Sequence, residues 1–569
     1  MAETKKPKLV IGLDFGTTFS GYSYNLAWDS VRIADNGSIA WAFVGCNVDV
    51  EVIQEWPGKG NSTSQKALTL ISYVNDKIRW GYEVNDMKAA IRGVKLLLDP
   101  SQVVRWLPAA ESEHLISDLR KEPVDVAGDY MKRMVSHIAN IIDRRGLGDL
   151  LKTLNIQYVL TTPGVWSDKA KDLTMQAAHL AGIQSSHLSL LSEPEAAAVY
   201  TIRAIQPNSM AKGDCFIVCD AGGGTVDLIT YRITQTEPLR MEEVTEGTGE
   251  VCGSVMLDER FEEYLIQTMG RKNYKELSNS TKRVVMQRWQ NDIKHHYSGP
   301  QDEDEDLDMG YVIPLPGIEN GIHYMESAHV QEIFDPVVTQ IEALISTQND
   351  IVNAAGRPAK AIILVGGLGA SEYLYKRLKL RFHGTQIMQP PNAWSAVVRG
   401  AVYRGLEGNQ VVDRKARCHY GVNYSCRFDP VLHDLKDRYW CCYEEKWMAN
   451  NLMTWYIRKG QSISEDKPIS FPFYRSVAMN SSMKFTDELM FCMTENAPKG
   501  LGPDVFPLCK LETDLSKISK ELFIKRKNST GIDYYDIRFN LILTAASASW
   551  IFESEFNGMN YGTVRAMYV

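Results

Sequence analysis

Two short segments of this chain carry the residue types that grip phosphate. Asp14-Phe-Gly-Thr-Thr18 and Asp220-Ala-Gly-Gly-Gly-Thr225 lie some two hundred residues apart, and each opens on a carboxylate. Glycine lets backbone N–H groups approach phosphate oxygens closely, threonine hydroxyls add donors, and an aspartate can hold a hydrated cation. Each segment follows an apolar run of the kind that forms a buried strand, Leu9-Val-Ile-Gly-Leu13 and Cys215-Phe-Ile-Val-Cys219. One glycine turn after a strand is commonplace. Two in matching context predict a clamp that closes on a polyphosphate and its metal ion from both sides.

The elements that must position such a clamp are visible as two similar halves. Residues 9 to about 82 read as short strands split by turns. Tyr130, Met134, Ile138, Ile141 and Ile142 recur at helical spacing and predict a helix around Asp129–Arg145. A strand at Ile156–Leu160, a helix from Ser167 with Ser167-Asp168 as its cap, a strand at His187–Leu191 and a helix at Glu193–Arg203 follow. The second half repeats this outline. Strands at 215–219 and 226–233 flank the second glycine turn, with helices near 254–270, 278–297 and 327–355. Ala361–Val365 then leads into Gly366-Gly367, expected to open a helix, and helices near 371–382 and 394–406 close the half. An α/β duplication with a ligand cleft between two lobes is the expected architecture.

Beyond about residue 408 the character changes to short β-branched and aromatic segments. Met453–Ile457, Ile469–Tyr474 and Tyr535–Leu543 are examples, the last alternating Ile537, Phe539, Leu541 and Leu543. The expected division is therefore residues 1–408, α/β, and residues 409–569, β-rich. Trp455, Phe471 and Phe473 read as sheet core, with lining of a peptide groove as the alternative. The acidic run Asp302-Glu-Asp-Glu-Asp306 with Asp308 reads as a solvated loop, or else as a docking or metal segment.

Bulk properties narrow the function classes. At 569 residues, the chain exceeds one ordinary core, while 44% hydrophobic and 23% charged residues are globular values. A net charge of −8 argues against nonspecific nucleic-acid binding. No apolar run of about eighteen residues suggests a membrane span, and the start has no signal-peptide core. Ten scattered cysteines without Cys-x-x-Cys pairs suit free thiols in a reducing compartment, so the expected location is cytoplasmic.

Five motifs in order carry a family resemblance over about residues 8–407. They are Leu13-Asp-Phe-Gly-Thr-Thr-Phe-Ser20, Thr161-Thr-Pro-Gly-Val-Trp-Ser-Asp168, Ser192-Glu-Pro-Glu-Ala-Ala-Ala198, Asp220-Ala-Gly-Gly-Gly-Thr-Val-Asp227 and Leu364-Val-Gly-Gly367. Together they resemble the actin-like ATPase domain of DnaK-type 70-kilodalton heat-shock chaperones, in a divergent branch without the helical lid. The resemblance implies a duplicated actin-like ATPase fold of ribonuclease H-like lobes, followed by a β-rich, substrate-binding-like domain. It implies ATP with Mg2+ as ligand, and unfolded peptide or protein clients and co-chaperones as partners. Gly16, Thr17 and Thr18 would cradle one phosphate face, and Gly222, Gly223, Gly224 and Thr225 the other. Asp14 and Asp220 would hold magnesium through water, and Glu193 or Asp227 would orient the attacking water. Gly366 and Gly367 would admit the nucleotide near the backbone. On the adenine side, Lys294 and Ser298 fit the family's pattern, whereas Asn291 and His295 depart from it.

Other departures bear on rate and coupling. The family's catalytic lysine falls at Asn85, with Lys88 as the candidate substitute, so slow hydrolysis with nucleotide binding retained is expected. The linker Asn409–Ala416 offers only Val411 and Val412 as apolar residues. A nucleotide-sensing scaffold with little turnover is the alternative function. A small-molecule kinase on the same fold would need a further carboxylate base, and no matching motif is present.

Overall fold

A computed structural model describes residues 8–27, 50–75, 77–99, 107–152, 154–205, 210–300, 310–316 and 318–568. The acidic run 302–308 lies outside them. The chain divides into two compact units, Met1–Gln410 and Val411–Val569.

The first unit is built on two sheets of like topology. In one, β1 (Lys8–Asp14) pairs antiparallel with β2 (Phe19–Ala27) and parallel with β4 (Asn155–Thr162). β3 (Glu51–Val52) extends the sheet beyond β2, and β5 (Leu188–Ser192) lies parallel beyond β4. In the other, β6 (Cys215–Ala221) pairs antiparallel with β7 (Val226–Gln235) and parallel with β9 (Ala359–Val365). β8 (Arg240–Glu243) lies beyond β7 and β10 (Gln386–Met388) beyond β9. Each sheet thus centres on the strand that runs into a glycine turn. β6 is buried along its whole length, as a near-continuous apolar run requires when both sheet faces are covered. This is the duplicated actin-like α/β fold.

Helices back the sheets. α1 (Pro123–Ile142) starts six residues earlier than the spacing predicts, because Pro123 occupies the first helical position and Asp125 and Glu122 form a reciprocal cap. Ser167 caps α2 (Asp168–Leu180) as expected, its Oγ accepting from the Ala170 amide at 3.2 Å. α3 (Glu193–Ala204) packs on α7 (Ala396–Glu407) at backbone contact. A methyl at Gly400 would sit 1.7 Å from the Ala196 carbonyl oxygen, so only glycine allows that crossing. The helix expected over 278–297 is α-helical only at Asn279–Arg288 and continues as a wider π turn to Ile293. Gly366 and Gly367 do not open a helix. They lie in a loop before α6 (Glu372–Arg381), whose cap is Ser371.

The second unit is two antiparallel sheets sharing one core. One runs Arg438–Cys441, Lys446–Ile457, His419–Arg427, Lys484–Cys492, Phe506–Asp514, Arg565–Tyr568. The other runs Ile469–Ala478, Asp533–Ala545, Trp550–Phe556, Met559–Thr563. The alternation at 537–543 points Ile537, Phe539, Leu541 and Leu543 into that core. Phe471 and Phe473 are buried there too, Phe471 stacked on Tyr456 at 4.1 Å. Trp455 is half-buried and donates to the Pro498 carbonyl oxygen at 2.6 Å. Truncating Phe471 to alanine empties the inter-sheet layer and is expected to cost about 3–5 kcal/mol. A calorimetric transition of the β-rich unit unchanged in Phe471→Ala would contradict that packing. Among the described residues, no helix is long and apolar enough to cross a membrane.

Candidate functional site

The two glycine turns meet. Methyls built on Gly223 and Gly224 would lie 2.2 Å from Thr18 Oγ1 and 2.6 Å from Thr17 Oγ1, so the hydroxyls of the first turn rest on the bare backbone of the second. In the first turn, Gly16 donates to Ser20 Oγ at 3.2 Å, and a methyl there would strike the Phe19 carbonyl oxygen at 2.0 Å. In the second, Gly222 donates to the Thr225 carbonyl oxygen at 2.9 Å. The amides of Gly253, Ser254 and Val255, where α4 (Val255–Met269) begins, donate to the carbonyls of Gly224, Gly222 and Gly223. The turn is therefore pinned from behind by its carbonyls. The amides of Thr17, Thr18, Gly223 and Gly224 have no acceptor among the described residues. Four donors on two facing turns suit a phosphate chain. Gly366 closes the back of this arrangement at φ +86°, where a methyl would meet Ala221 O at 2.4 Å and Asp220 Oδ1 at 2.5 Å.

Four buried carboxylates gather behind the turns: Asp14, Glu193, Asp220 and Asp227. Asp14 and Asp220 end the central strands, and Asp227 stands opposite Asp220 on β7. Asp227 Oδ1 accepts from the Val165 amide at 3.0 Å, tying the Pro163–Trp166 segment to the second lobe. Glu193 opens α3 directly after β5. Burial pushes the Glu193 carboxyl up to about 7; Lys95 opposes that rise, while the charges of Asp14 and Asp227 add to it. Asp220 is raised well above the ordinary carboxylate range by burial, then by Glu193, Asp227 and Asp14, with Lys66 opposing. Glu193 and Asp220 therefore feel the charges of their neighbouring carboxylates.

Two buried lysines, not anticipated from the sequence, share the cluster. Lys66 Nζ donates to Asp14 Oδ2 at 2.5 Å, and Lys95 Nζ to Glu193 Oε1 at 2.6 Å. Lys95 also sits over the Trp166 ring at 5.5 Å. The available signal was Lys95 standing alone in Gly93-Val-Lys-Leu-Leu-Leu98, a charge embedded in an apolar run. Lys88 does not take the substitute's place. It is exposed in a turn and its side chain touches none of the carboxylates, and Asn85 is exposed as well. Four carboxylates facing two ammonium groups leave a formal charge of −2 when all are ionised, which a divalent cation would balance. Among the described residues, no three His, Cys, Asp or Glu side chains converge to hold a bare metal ion. That donor set fits a cation held through its own water shell, the habit of magnesium.

Lys294 and Ser298 lie further along the second lobe. The Lys294 ammonium is paired with Asp258 Oδ1 at 2.7 Å, and Asp258 also accepts from Trp289 Nε1 at 2.8 Å. Asp258 belongs to α4, the helix that pins the second turn. Ser298 is half-buried beside Gly299, which faces the ring of Tyr373 on α6. Gly367 is in the loop between β9 and α6, near the Trp394 indole.

Comparison with known proteins agrees with this geometry. Residues 132–411 match the family model described as Hsp70 protein. The chain is 22% identical over 536 residues to human "Heat shock 70 kDa protein 12A", covering 76% of this chain and 74% of that one. It is 22% identical over 527 residues to the mouse protein of the same name, covering 75% and 73%. Against human "Heat shock 70 kDa protein 12B" it is 23% identical over 545 residues, covering 76% and 74%. With duplicated lobes, facing glycine turns and these relatives, the chain matches the Hsp70 model over residues 132–411 and is similar to divergent members of that family.

Proposed function

We propose that the chain binds ATP with magnesium between its two glycine turns and hydrolyses it slowly to ADP and phosphate. The bound nucleotide then biases the grip of the β-rich unit on an unfolded peptide or protein client. The observation that carries this reading is the meeting of Thr17 and Thr18 with Gly224 and Gly223 in front of four carboxylates. Free amides on both turns, with the hydroxyls of Thr17, Thr18 and Thr225, hold the phosphate oxygens. Magnesium, when bound, neutralises phosphate charge, and Asp14 and Asp220 hold its water shell. Phosphoryl transfer needs charge neutralisation and an aligned nucleophile more than covalent help. Glu193, raised to about 7, suits a group that orients water and accepts its proton near neutral pH, with Asp227 beside it. Gly367, with only the Trp394 indole near it, leaves room for the nucleoside, and Ser298 serves its base while the Lys294 ammonium stays on Asp258.

The reading extends to co-chaperones as partners and to a cytoplasmic location. The nine described cysteines are free thiols, which supports a reducing compartment. A nucleotide-sensing scaffold is the second reading, favoured by the occupation of Asp14 by Lys66.

Calorimetric titration with ATP and ADP tests the site, followed by hydrolysis rates on the parent and Asp220→Asn. Binding by the parent and a fall of about a hundred- to a thousandfold in hydrolysis in Asp220→Asn are expected. No heat with either nucleotide would remove the proposal. A client-peptide affinity identical with ATP, ADP and no nucleotide would leave only the scaffold.

A further inference from the structure

Along the strand Asp533–Ala545, Asp536, Arg538 and Asn540 share the face opposite the core residues Ile537, Phe539 and Leu541. Asp536 is buried there, its side chain 1% exposed, and accepts from Arg526 Nε at 2.7 Å and from Arg538 Nε at 3.3 Å. Arg526 comes from the short strand Ile524–Lys527, which pairs with residues 533–536. Arg538 lies over the ring of its cross-strand partner Tyr474 at 5.6 Å. Each guanidinium is thus anchored through Nε alone, and the terminal NH2 groups of both have no acceptor among the described residues. The two arginines stay open to solvent, at 48% and 68% exposure. They line a hollow of about 750 Å³, an ordinary ligand-pocket size, together with Glu444, Lys446, Asn540 and Glu555.

The charges of this hollow sort into two poles. Two guanidinium groups against the one Asp536 carboxylate leave +1 at the arginines. Lys446 pairs with Glu444 at 3.5 Å and cancels it. Glu555 has no cation beside it among the described residues and accepts from Asn540 Nδ2 at 2.9 Å, so it leaves −1. Asn540 is the cross-strand partner of Glu555 and stands two residues beyond Arg538 on the same face, about 7 Å along the strand. Side chains at alternate positions of an extended peptide repeat at that same interval. A single carboxylate balances the positive pole and fits the planar arginine fork, whereas a phosphate dianion would exceed it. We propose that this hollow docks an extended peptide segment with an acidic and a basic side chain at alternate positions. Arg526 and Arg538 take the acid, and Glu555 takes the base. The site lies wholly within the second unit and needs no nucleotide, so it stands or falls independently of the reading above.

The test titrates the full chain, by saturation-transfer NMR and calorimetry, with end-blocked serine pentapeptides carrying glutamate and lysine at the second and fourth positions, in both orders. The parent is expected to bind one order with a dissociation constant below about 1 mM. Replacing the peptide's glutamate by glutamine is expected to weaken that binding at least fivefold, about 1 kcal/mol. Arg538→Gln should lose a similar factor for the charged peptide and nothing further for the glutamine peptide. Glu555→Gln should behave in the same way toward the peptide's lysine. Thermal melts establish whether each variant is folded; if Arg538→Gln is not, Glu555→Gln decides, since its amide keeps an oxygen for Asn540. A dissociation constant above about 1 mM for both orders overturns the proposal. Binding indifferent to the peptide's charges, or unchanged in the folded variants, overturns it too. So does tighter binding when phosphoserine replaces the peptide's glutamate.

Discussion

Replacing Lys95 by methionine is expected to lower the unfolding free energy of the first unit by about 3–5 kcal/mol at pH 8. The magnitude follows from what remains: Glu193, buried at the start of α3, would lose the ammonium at 2.6 Å and at pH 8 either hold an unpaired charge or bind a proton that the unfolded chain does not. Acid should relieve the defect. The folded-state pKa of Glu193 is raised, to about 7 from an ordinary 4.5, so the native chain binds this proton more tightly than the unfolded chain. Its protonated form contributes stability that is fully present below about 4.5 and lost as pH rises through 7. Without Lys95 the carboxyl moves higher still and is neutral at pH 5, where no unpaired charge is left to destabilise. Urea melts at pH 5 and pH 8 therefore separate the two cases, and Lys95→Met/Glu193→Gln should recover most of the loss at pH 8. A Lys95→Met chain within about 1 kcal/mol of the parent at pH 8 would show that the pair holds nothing.

Gly224→Val should remove nucleotide binding while sparing the fold. Neither Gly223 nor Gly224 has the left-handed backbone that favours glycine, so position 224 does not demand glycine on that ground. What it meets is Thr17, whose Oγ1 would lie 2.6 Å from the new Cβ. Its two methyls would push the first turn away and cover the free amides. A loss of at least a hundredfold in ATP affinity, about 2.7 kcal/mol, is the expected result by calorimetry. An affinity within about threefold of the parent, with the parent's melting curve, would mean that phosphate does not pass between these turns.

Local chemistry makes much of this molecule legible in its sequence. β1 and β6 are short apolar runs ended by Asp-x-Gly, and both turned out to be central strands leading into facing turns. The sandwich strand at 533–545 was legible because its side chains alternate between core and solvent. The early start of α1 was missed although Pro123 with Glu122 and Asp125 is a local cue. The loop at Gly366 was mistaken for a helix start because the true cap, Ser371, lies five residues on. Lys95 stands out locally as a charge in an apolar run, but the partners of Lys66 and Lys95 are beyond local reading. Their partners stand 52 and 98 residues away, and only tertiary pairing decides which lysine reaches a carboxylate. Lys294 fits the family's spacing, yet its ammonium is committed to Asp258 on another helix.

The parallel pairing of β1 with β4, Asp14 beside Thr161, has a practical outcome for anyone trimming this chain. A shortened clone spanning only 132–411 would discard Asp14, the threonine hairpin and both buried lysines. It would also strip β4 of its neighbour and bare a raw sheet edge, an invitation to aggregate. A failed assay on such a fragment would report a missing half, not an inert protein.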